Sequence, residues 1–269
     1  MLKNTPAMYK KAYPFLKEVD SLALANVQLH LEKAYKNFFR DPKVGFPRFK
    51  SKHHSKNSYT TNVVNGNILV EDKRIRLPKL KWISMKKHRE PAENCCLKSV
   101  TVSMEPSGKY FASLLYEGYS CENQAADKDY SNAKILGIDY AMQGMAVFSE
   151  EIELEKAGFF RKNEKRLARE QRKLSRCVKG SCNYVRQKKK VARCHEKIRN
   201  QRKDYLHKLS RRITDQYDIV AVEDIDMKAM GQCLHFGKSV QDNGYGMFRD
   251  MLDYKPVSYT HLTLPTILR

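Results

Sequence analysis

The sequence predicts a chain of mixed α/β class, in which an α/β part follows a separate helical part and a separate β part. Two short apolar runs, ILGID at 135–139 and IVAVE at 219–223, each end in a carboxylate, which is typical of buried strands in an open α/β sheet. Between them, residues 159–214 repeat apolar side chains at helical spacing within a basic background. Upstream, residues 58–119 alternate apolar and polar side chains between turn-forming dipeptides, which favours short β-strands.

The composition indicates a polyanionic partner. The chain has 269 residues with 51 Lys and Arg against 30 Asp and Glu, a net charge of +21, and its 41% apolar residues are enough for a folded core. Residues 161–212 alone hold 21 basic and four acidic side chains. Like charges at this density repel one another, so phosphates or counterions must neutralise them. The alternative is a solvated helical face that has no partner.

Several classes of protein are excluded by the sequence. No run of about 18 apolar residues exists, so no membrane-spanning helix is predicted, and the first residues lack the apolar core of a signal peptide. The seven cysteines are odd in number and irregularly spaced, which indicates a reducing cytoplasm rather than a disulfide framework. We therefore expect no membrane partner, and no feature of the sequence predicts a small-molecule substrate.

The first part of the chain, residues 1–57, is predicted to hold a helix followed by a basic loop. Residues 20–40 have an amphipathic pattern that Asp20 or Ser21 can cap. We expect one apolar stripe of this helix to pack on a core, formed by Leu24, Val27, Leu31, Tyr35 and Phe38. In the loop 41–57, aromatic and basic residues alternate. This pattern fits a surface that stacks on bases and neutralises phosphates, and it fits a simple linker equally well. The residues concerned are Phe46, Arg48, Phe49, Lys50 and Lys52.

Residues 58–120 are predicted to form a small β-domain. The segments KSVTVSM and KYFASLLY alternate as strands with one solvated face, and a Pro-Ser-Gly turn at 106–108 joins them. The polar segment 120–132 then has the composition of a domain linker.

After a predicted strand pair within 134–150, two basic helices occupy 159–214. Leu167 and Leu174 repeat at seven residues, and a thin apolar seam continues at near-heptad spacing to Leu209. The segment VKGSCN, 178–183, interrupts the pattern, so we expect an antiparallel helical hairpin whose outer surfaces face phosphates. Sixteen cations of this hairpin are expected to bind nucleic acid, namely Arg161, Lys165, Arg166, Arg169, Arg172, Lys173, Arg176, Lys188, Lys189, Arg193, Lys197, Arg199, Arg202, Lys203, Lys208 and Arg211.

Asp139 and Glu223 are the candidate catalytic residues and metal ligands. Each closes an apolar strand, and strand ends in open α/β sheets are where active sites assemble. Carboxylates at such a place can hold divalent cations that clamp the attacking and leaving oxygens of a scissile phosphate. Mg²⁺ prefers hard oxygen ligands and retains several waters. From spacing alone, the competing interpretation of each residue as a cap or turn former is the more common one.

Several segments resemble the transposon-encoded OrfB/TnpB family of insertion-sequence proteins, which are related to type V CRISPR effectors. They are FFRKNEKRLAREQRKLSR, KGSCNY, HEKIRNQRKDYLHKLSR, DIVAVEDIDMKAM and FGKSVQDNGYGMF, with YPFLKEVDSLAL, KNFFR and GFPRFKSK upstream. The resemblance extends over almost the whole chain up to Lys255. It implies an RNA-guided DNA endonuclease that uses Mg²⁺ or Mn²⁺ and works in the bacterial or archaeal cytoplasm, at the nucleoid.

The same resemblance implies an incomplete RuvC-like RNase H fold over 133–255, into which the basic hairpin is inserted. Asp139, in GIDYAMQGMAV, and Glu223, in VEDIDMKAM, match the first and second catalytic acids of the family. Asp224 is similarly placed in the family, and we interpret it as a structural residue or as one that supports the metal ligands without touching the metal.

The implied partners are DNA and guide RNA. Residues 20–40 resemble part of a recognition lobe, and 58–120 resemble the wedge domain that helps to hold guide RNA. The hairpin would contact a guide–target heteroduplex through its backbone shape rather than its sequence.

The chain departs from the family pattern within both motifs. Tyr140 and Ala141 stand where the family usually has Leu and Gly, and Ala141 requires ordinary backbone angles that Gly does not. Asp226 and Ala229 replace the usual Asn and Gly of the second motif. These changes indicate a decayed or divergent copy and are expected to affect activity more than fold.

Two parts of the family pattern, a four-cysteine zinc ribbon and a third catalytic Asp, are missing from this sequence. No C-x-x-C occurs, and we interpret Cys177, Cys182 and Cys194 as ordinary thiols rather than as zinc ligands with His195. Residues 256–269 lose the charge and pattern of the preceding sequence, and VSYTHL matches one reading frame of a transposon-end sequencing adapter. We therefore expect a truncated member whose tail is non-native, with a genuine divergent β-tail as the alternative.

Two hypotheses about function remain open at this point. The first is the RNA-guided, metal-dependent endonuclease, for which the missing third acid leaves open whether this chain is itself an enzyme. The second is a non-catalytic RNA- or DNA-binding remnant, or a regulator of transposition. A third function, DNA strand joining, is not expected, because the catalytic Tyr motif of single-strand transposases is absent.

Overall fold

The computed structural model describes residues 5–41, 43–49, 51, 56–118, 130–141, 145–152, 154, 158–223, 225, 242–255 and 260–264 (the backbone alone at 130 and 260–264). The chain divides into two compact units, residues 1–121 and 122–269. The mixed α/β class predicted from the sequence is confirmed.

Unit 1 begins with short helical turns and one long helix. The elements are helix α1 (Pro6–Tyr9), a 3₁₀ turn (Pro14–Lys17) and helix α2 (Ser21–Arg40). Asp20 caps α2, because its Oδ1 accepts a hydrogen bond from the Leu22 backbone N–H at 3.2 Å. The predicted helix over 20–40 and its predicted cap are therefore confirmed.

The face of α2 that is buried differs from the predicted apolar stripe. Val27 and Leu31 are 63% and 42% exposed, whereas Ala23 and Asn26 are buried. The Asn26 side-chain amide donates to the Thr60 carbonyl oxygen at 2.9 Å, on strand β1 (Asn57–Asn62). This bond orients the polar face of α2 toward the sheet, so the prediction that Val27 and Leu31 pack on a core is wrong.

The described residues of the β part of unit 1 form two antiparallel three-stranded sheets. The first has the order β1–β5–β6 and the second β2–β3–β4, with β2 (Leu69–Val70), β3 (Arg74–Leu77), β4 (Lys81–Ser84), β5 (Cys95–Met104) and β6 (Tyr110–Gly118). The predicted Pro-Ser-Gly turn joins β5 to β6, and Gly108 supplies the positive φ of +84° that this turn needs. A small core forms around Ile68, Ile75, Leu77 and Val100.

Unit 2 contains a four-stranded sheet in which the predicted strands lie side by side. The strands are β7 (Ile135–Ala141), β8 (Met145–Phe148), β9 (Ile219–Glu223) and β10 (Thr260–Leu264), in the order β10–β9–β7–β8. Strand β8 is antiparallel to β7, whereas β9 is parallel to β7 and β10 is parallel to β9. The predictions of a strand pair within 134–150 and of a buried parallel strand at IVAVE are confirmed.

The basic region forms the predicted helical hairpin. Helix α3 (Phe159–Ser175) and helix α4 (Cys182–Gln216) are separated by a break that contains Gly180, at φ +85°, and the N-cap Ser181. The hairpin is antiparallel, because Asn163 near the start of α3 donates to Gln201 of α4 at 3.2 Å, while Gln187 of α4 donates to Glu170 of α3 at 2.8 Å.

The core of unit 2 lies where α4 and helix α5 (Tyr245–Tyr254) pack against the sheet. Leu136 and Val220 of the sheet meet Ile213 of α4 and Phe248 and Leu252 of α5, all of which are buried. Complete burial of a side chain of this kind contributes about 1.5–3 kcal/mol. This packing fixes the strands that carry the two candidate acids.

Part of the segment that we expect to be non-native is paired with the sheet. Residues 260–264 run parallel to β9, from Thr260 opposite Ile219 to Leu264 opposite Glu223. The non-native origin of 256–269 stays a prediction. Several other predictions fall on residues outside the described ranges, namely Lys50, Lys52, Asp224, Asp226 and Ala229.

Candidate metal centre and nucleic-acid interface

Asp139 and Glu223 are neighbours on adjacent parallel strands. In the β7–β9 ladder Ile138 pairs with Val222, and the next residue of each strand is the acidic one. Because side chains alternate between the two faces of a sheet, the two carboxyl groups lie on the same face. The structure therefore brings together the two acids singled out in the sequence, 84 positions apart.

The two carboxyl groups are close enough to share a proton. A hydrogen bond with Asp139, together with burial and repulsion from the Asp139 charge, raises the pKa of Glu223 above its ordinary value of 4.5. In the protonated state the Glu223 carboxyl donates to the Asp139 carboxylate. When both carboxyl groups are ionised and no cation lies between them, they repel each other. A cation bound between them would remove this repulsion, so the pair favours cation binding.

Tyr245 adds a buried hydroxyl beside this pair, which the sequence analysis did not identify. The side chain is 1% exposed, and its hydroxyl has no hydrogen-bond partner among the described residues. Burial and the nearby charges of Glu223 and Asp139 raise the pKa of Tyr245 to about 12. Its ring packs edge-on against Tyr140, with the ring centroids 5.1 Å apart.

The donor set at this place fits a hard divalent cation. It consists of two carboxylates, whose oxygen atoms are the ligand chemistry that Mg²⁺ prefers. Within the described ranges, no third Asp, Glu, His or Cys joins Asp139 and Glu223 in a metal-ligating group. A cation held here therefore depends on two protein carboxylates and on its own waters.

The cysteines near the hairpin break do not form a metal site in the described part of the chain. Cys177, Cys182 and Cys194 are free thiols, and no group of three potential ligands includes them. The Cys177 thiol donates to the Lys173 carbonyl oxygen at 3.3 Å. Their interpretation as ordinary thiols stays a prediction.

The sixteen cations predicted to bind nucleic acid are distributed along both helices of the hairpin. All but Arg202 have exposed side chains. Some are partly neutralised within the hairpin, as Lys173 is by Glu170 at 3.4 Å and Arg211 by Asp215 at 2.9 Å. Their binding of nucleic acid stays a prediction.

Arg202 is the exception because it is directed toward the interior. Its side chain is 19% exposed and lies 3.6 Å from Asp242, which is itself 3% exposed. Asp242 also accepts hydrogen bonds from the backbone N–H groups of Phe160 and Arg161, at 2.8 and 3.4 Å. Asp242 therefore caps α3, whose own N-cap, Gly158, has no side chain to offer.

The chain is similar to known proteins both in sequence and in fold. The profile of the OrfB_IS605 family, described as "Probable transposase", matches residues 118–233. A protein of Escherichia coli (strain K12) named "Putative RNA-guided DNA endonuclease InsQ" is 32% identical over 256 residues, which cover 90% of this chain and 61% of that protein. A "Putative RNA-guided DNA endonuclease" of Streptomyces pristinaespiralis is 31% identical over 250 residues, which cover 91% of this chain and 59% of that protein.

The fold is also similar to that of a chain in the solved "Cas12f1-sgRNA-target DNA complex". The TM-score is 0.52 at 12% identity, and the match covers 98% of this chain and 66% of that one. The chain spans about three fifths of the length of the two curated relatives. Along the described residues, no helix has both the length and the apolarity needed to cross a membrane. Taken with the segments quoted from its sequence, the sequence matches support a TnpB-type protein, similar to the OrfB/TnpB family of transposon-encoded insertion-sequence proteins.

Proposed function

We propose that this chain carries the metal-dependent, phosphodiester-cleaving site of an RNA-guided DNA endonuclease. The observation that carries the proposal is the contact between Asp139 and Glu223 at the ends of neighbouring parallel strands. Both curated relatives bear the name of RNA-guided DNA endonucleases, and they align with nine tenths of this chain.

The proposed fold of unit 2 is an incomplete RuvC-like RNase H fold. The sheet supports it, because one antiparallel pair, β7 and β8, is extended by the parallel strands β9 and β10. The basic hairpin is inserted between β8 and β9, as the family resemblance implies. The similarity to a Cas12f1 complex chain supports the same class of fold.

Asp139 and Glu223 are the proposed catalytic acids and ligands of Mg²⁺ or Mn²⁺. A divalent cation, when bound, lowers the pKa of a bound water and stabilises negative charge on the scissile phosphate. The chain's own contribution is to hold two carboxylates close together on a rigid sheet. The pair would release its shared proton when the cation binds. Tyr245 borders the site as a buried hydroxyl that can orient an adjacent water.

The proposed partners are DNA and guide RNA, which the hairpin cations would hold through phosphates. In this proposal the β part of unit 1 is the wedge-type domain, and α2 belongs to a recognition lobe. The proposed cellular site is the bacterial or archaeal cytoplasm at the nucleoid, where both partners are present. Binding of a guide–target heteroduplex by charge and shape requires no base-specific contact from the hairpin.

A second candidate function, a non-catalytic nucleic-acid-binding remnant or regulator of transposition, is favoured by one specific observation. Only two carboxylates meet at the site within the described ranges, whereas two-metal hydrolysis usually engages more ligands. Such a chain would keep the hairpin and lose cleavage. The two functions therefore differ in cleavage and agree in binding.

A cleavage assay separates these functions. The full chain is incubated with Mn²⁺, RNA transcribed from its own locus and labelled DNA carrying the locus ends, beside Asp139→Ala, Glu223→Ala and the exposed control Asp250→Ala. We expect cleavage by the wild type and Asp250→Ala, and none by the other two variants, with RNA binding unchanged in all four. Cleavage by Asp139→Ala contradicts the assignment of the site, and binding without cleavage by the wild type favours the remnant.

A further inference from the structure

A basic cleft lies between the two helices of the hairpin. It encloses about 330 Å³, and five cations line it, Arg166 and Lys173 from α3 with Lys190, Arg193 and Lys197 from α4. The α3 residues are seven positions apart, and the α4 residues follow at spacings of three and four, so each set lies along one face of its helix. The cations therefore converge on one space from two sides.

The charge of this cleft is mostly not neutralised by the protein. Glu170 is its single acidic residue, and it is already engaged by Gln187 at 2.8 Å and by Lys173 at 3.4 Å. These partners, with the Gln187 hydrogen bond first, lower the pKa of Glu170, so it stays ionised and bound. Arg166, Lys190, Arg193 and Lys197 have no ion-pair partner among the residues that the structure describes. Four like charges held around one cavity favour an anionic ligand.

We infer that this cleft is a phosphate-binding site that holds the backbone of a nucleic-acid strand. Arginine guanidinium groups bind phosphate oxygens through paired hydrogen bonds, and lysines add point charges. From Lys190 to Lys197 the helix rises about 10 Å, which spans about three phosphates at the axial rise of about 3.4 Å per nucleotide along one strand of a duplex. The ligand is therefore a run of phosphates rather than a single ion.

This inference deepens the proposed function and rests on its nucleic-acid binding. It places the expected contact between the hairpin cations and the phosphates in the cleft. The sequence pattern predicts phosphates on the outer surfaces of the hairpin, whereas the cleft lies between the helices. It also assigns a role to Lys190, which was not among the sixteen predicted cations. Hairpin cations that lie outside the cleft, such as Arg186 and Lys179, are expected to contribute less.

The thiol of Cys194 lines the same cleft and reports on its occupancy. The full chain is alkylated with iodoacetamide, and the rate at each cysteine is followed by peptide mass spectrometry. Cys182, an exposed thiol in the first turn of α4, is the control. A single-stranded DNA oligonucleotide and inorganic triphosphate are each expected to slow alkylation of Cys194 several-fold while leaving Cys182 unchanged.

The outcomes distinguish two questions: whether the cleft binds phosphate at all, and whether a nucleic-acid strand supplies that phosphate. Protection by triphosphate alone supports the phosphate site and overturns its assignment to a nucleic-acid strand. No protection by either probe overturns the site, and if the oligonucleotide still binds the chain, the proposed function stands. Failure of the oligonucleotide to bind at all contradicts the proposed nucleic-acid binding instead.

Matched charge variants provide a second measurement. Lys190→Ala with Arg193→Ala removes two cations from the cleft, and Lys179→Ala with Arg186→Ala removes the same two charges from exposed positions outside it. The cleft variant is expected to weaken oligonucleotide binding at least tenfold and to reduce the slope of log affinity against log salt by about 1.4, since each single-strand contact contributes about 0.7. Equal effects of the two double variants overturn the inference.

Discussion

At the scale of single residues, the pair formed by Asp139 and Glu223 sets the chemistry of the site. In the metal-free protein the raised pKa of Glu223 means that the folded state retains a proton which the unfolded chain has released. The stabilisation by that proton is complete below the ordinary pKa of 4.5 and is lost as pH rises through the folded pKa. A divalent cation replaces the proton, so its affinity rises with pH over the same window.

The first prediction compares Glu223→Gln with the wild type by thermal unfolding from pH 4.5 upward. In EDTA the wild type is expected to lose stability relative to Glu223→Gln as pH rises, because the amide cannot ionise against Asp139. Added Mg²⁺ is expected to raise the wild-type Tm most at the highest pH, by an amount equivalent to about 2.7 kcal/mol at 100 times Kd. It should leave Glu223→Gln nearly unchanged. A pH-independent difference between the two proteins contradicts the shared proton.

The second prediction concerns Tyr245, whose buried hydroxyl has no partner in the described part of the chain. An unsatisfied buried hydroxyl costs about 1–3 kcal/mol, so Tyr245→Phe is expected to preserve or raise the free energy of unfolding in EDTA. The same change should reduce the Mg²⁺-dependent rise in Tm if the hydroxyl orients a water of the ion.

Tyr217→Phe is the control for Tyr245. The Tyr217 hydroxyl donates to Glu150 at 2.6 Å, so its loss is expected to lower the free energy of unfolding and to leave the Mg²⁺ response intact. Urea unfolding with and without Mg²⁺ measures both quantities. Equal destabilisation by the two substitutions would show that the Tyr245 hydroxyl has a partner after all.

At the scale of elements, local sequence patterns predicted most of the structure of unit 2. The sequence predicted the features that depend on neighbouring residues in the chain. They are the apolar strands ILGID and IVAVE, the hairpin and its break at 178–183. Each of the two predicted strands ends in an acid, Asp139 or Glu223. Because parallel strands place their carboxyl ends at one edge of the sheet, the two acids are expected to lie near each other. The family resemblance then indicated their role, which spacing alone did not.

The features that the sequence did not reveal depend on distant contacts. Helix α2 turns Asn26 inward because Thr60, 34 residues later, accepts its hydrogen bond, and no periodicity of the helix predicts this. Tyr245 lies near the acids because α5 packs back on the sheet. Arg202 resembles the other hairpin cations in sequence, but Asp242 draws it into the interior.

The third prediction tests that distant contact through the cap of α3. Asp242→Ala removes the acceptor of two backbone N–H groups and leaves Arg202 without its carboxylate, so it is expected to cost about 2–4 kcal/mol in unfolding free energy. Asp242→Asn keeps an acceptor for the helix and is expected to cost less. The exposed Asp250→Ala on α5 should change stability by less than about 0.5 kcal/mol. A loss for Asp242→Ala as small as that of Asp250→Ala in urea unfolding contradicts the capping role.

At the scale of the whole molecule, positive charge is present in both units and is unevenly distributed in the second. Residues 1–121 hold 22 basic and ten acidic side chains, and residues 122–269 hold 29 and 20. Since 161–212 alone has 21 basic and four acidic residues, the remainder of unit 2 is acidic. The hairpin is therefore a cationic element attached to an acidic site that needs a metal ion before it can accept a phosphate.

This separation of charges leads to the fourth prediction, that nucleic-acid binding and metal binding are independent to first order. The wild type is expected to bind unrelated DNA sequences with similar affinity, and to lose about 10³-fold or more between 50 and 200 mM salt if six or more phosphates are contacted. Asp139→Asn should show the same salt slope in EDTA, because the acids lie outside the hairpin, and should differ from the wild type only in its response to Mn²⁺. Fluorescence anisotropy against salt, with and without Mn²⁺, measures both effects. Two results would mean that the cationic hairpin is not the surface that binds the polyanion. One is an affinity that does not depend on salt, and the other is a salt slope that differs between the wild type and Asp139→Asn.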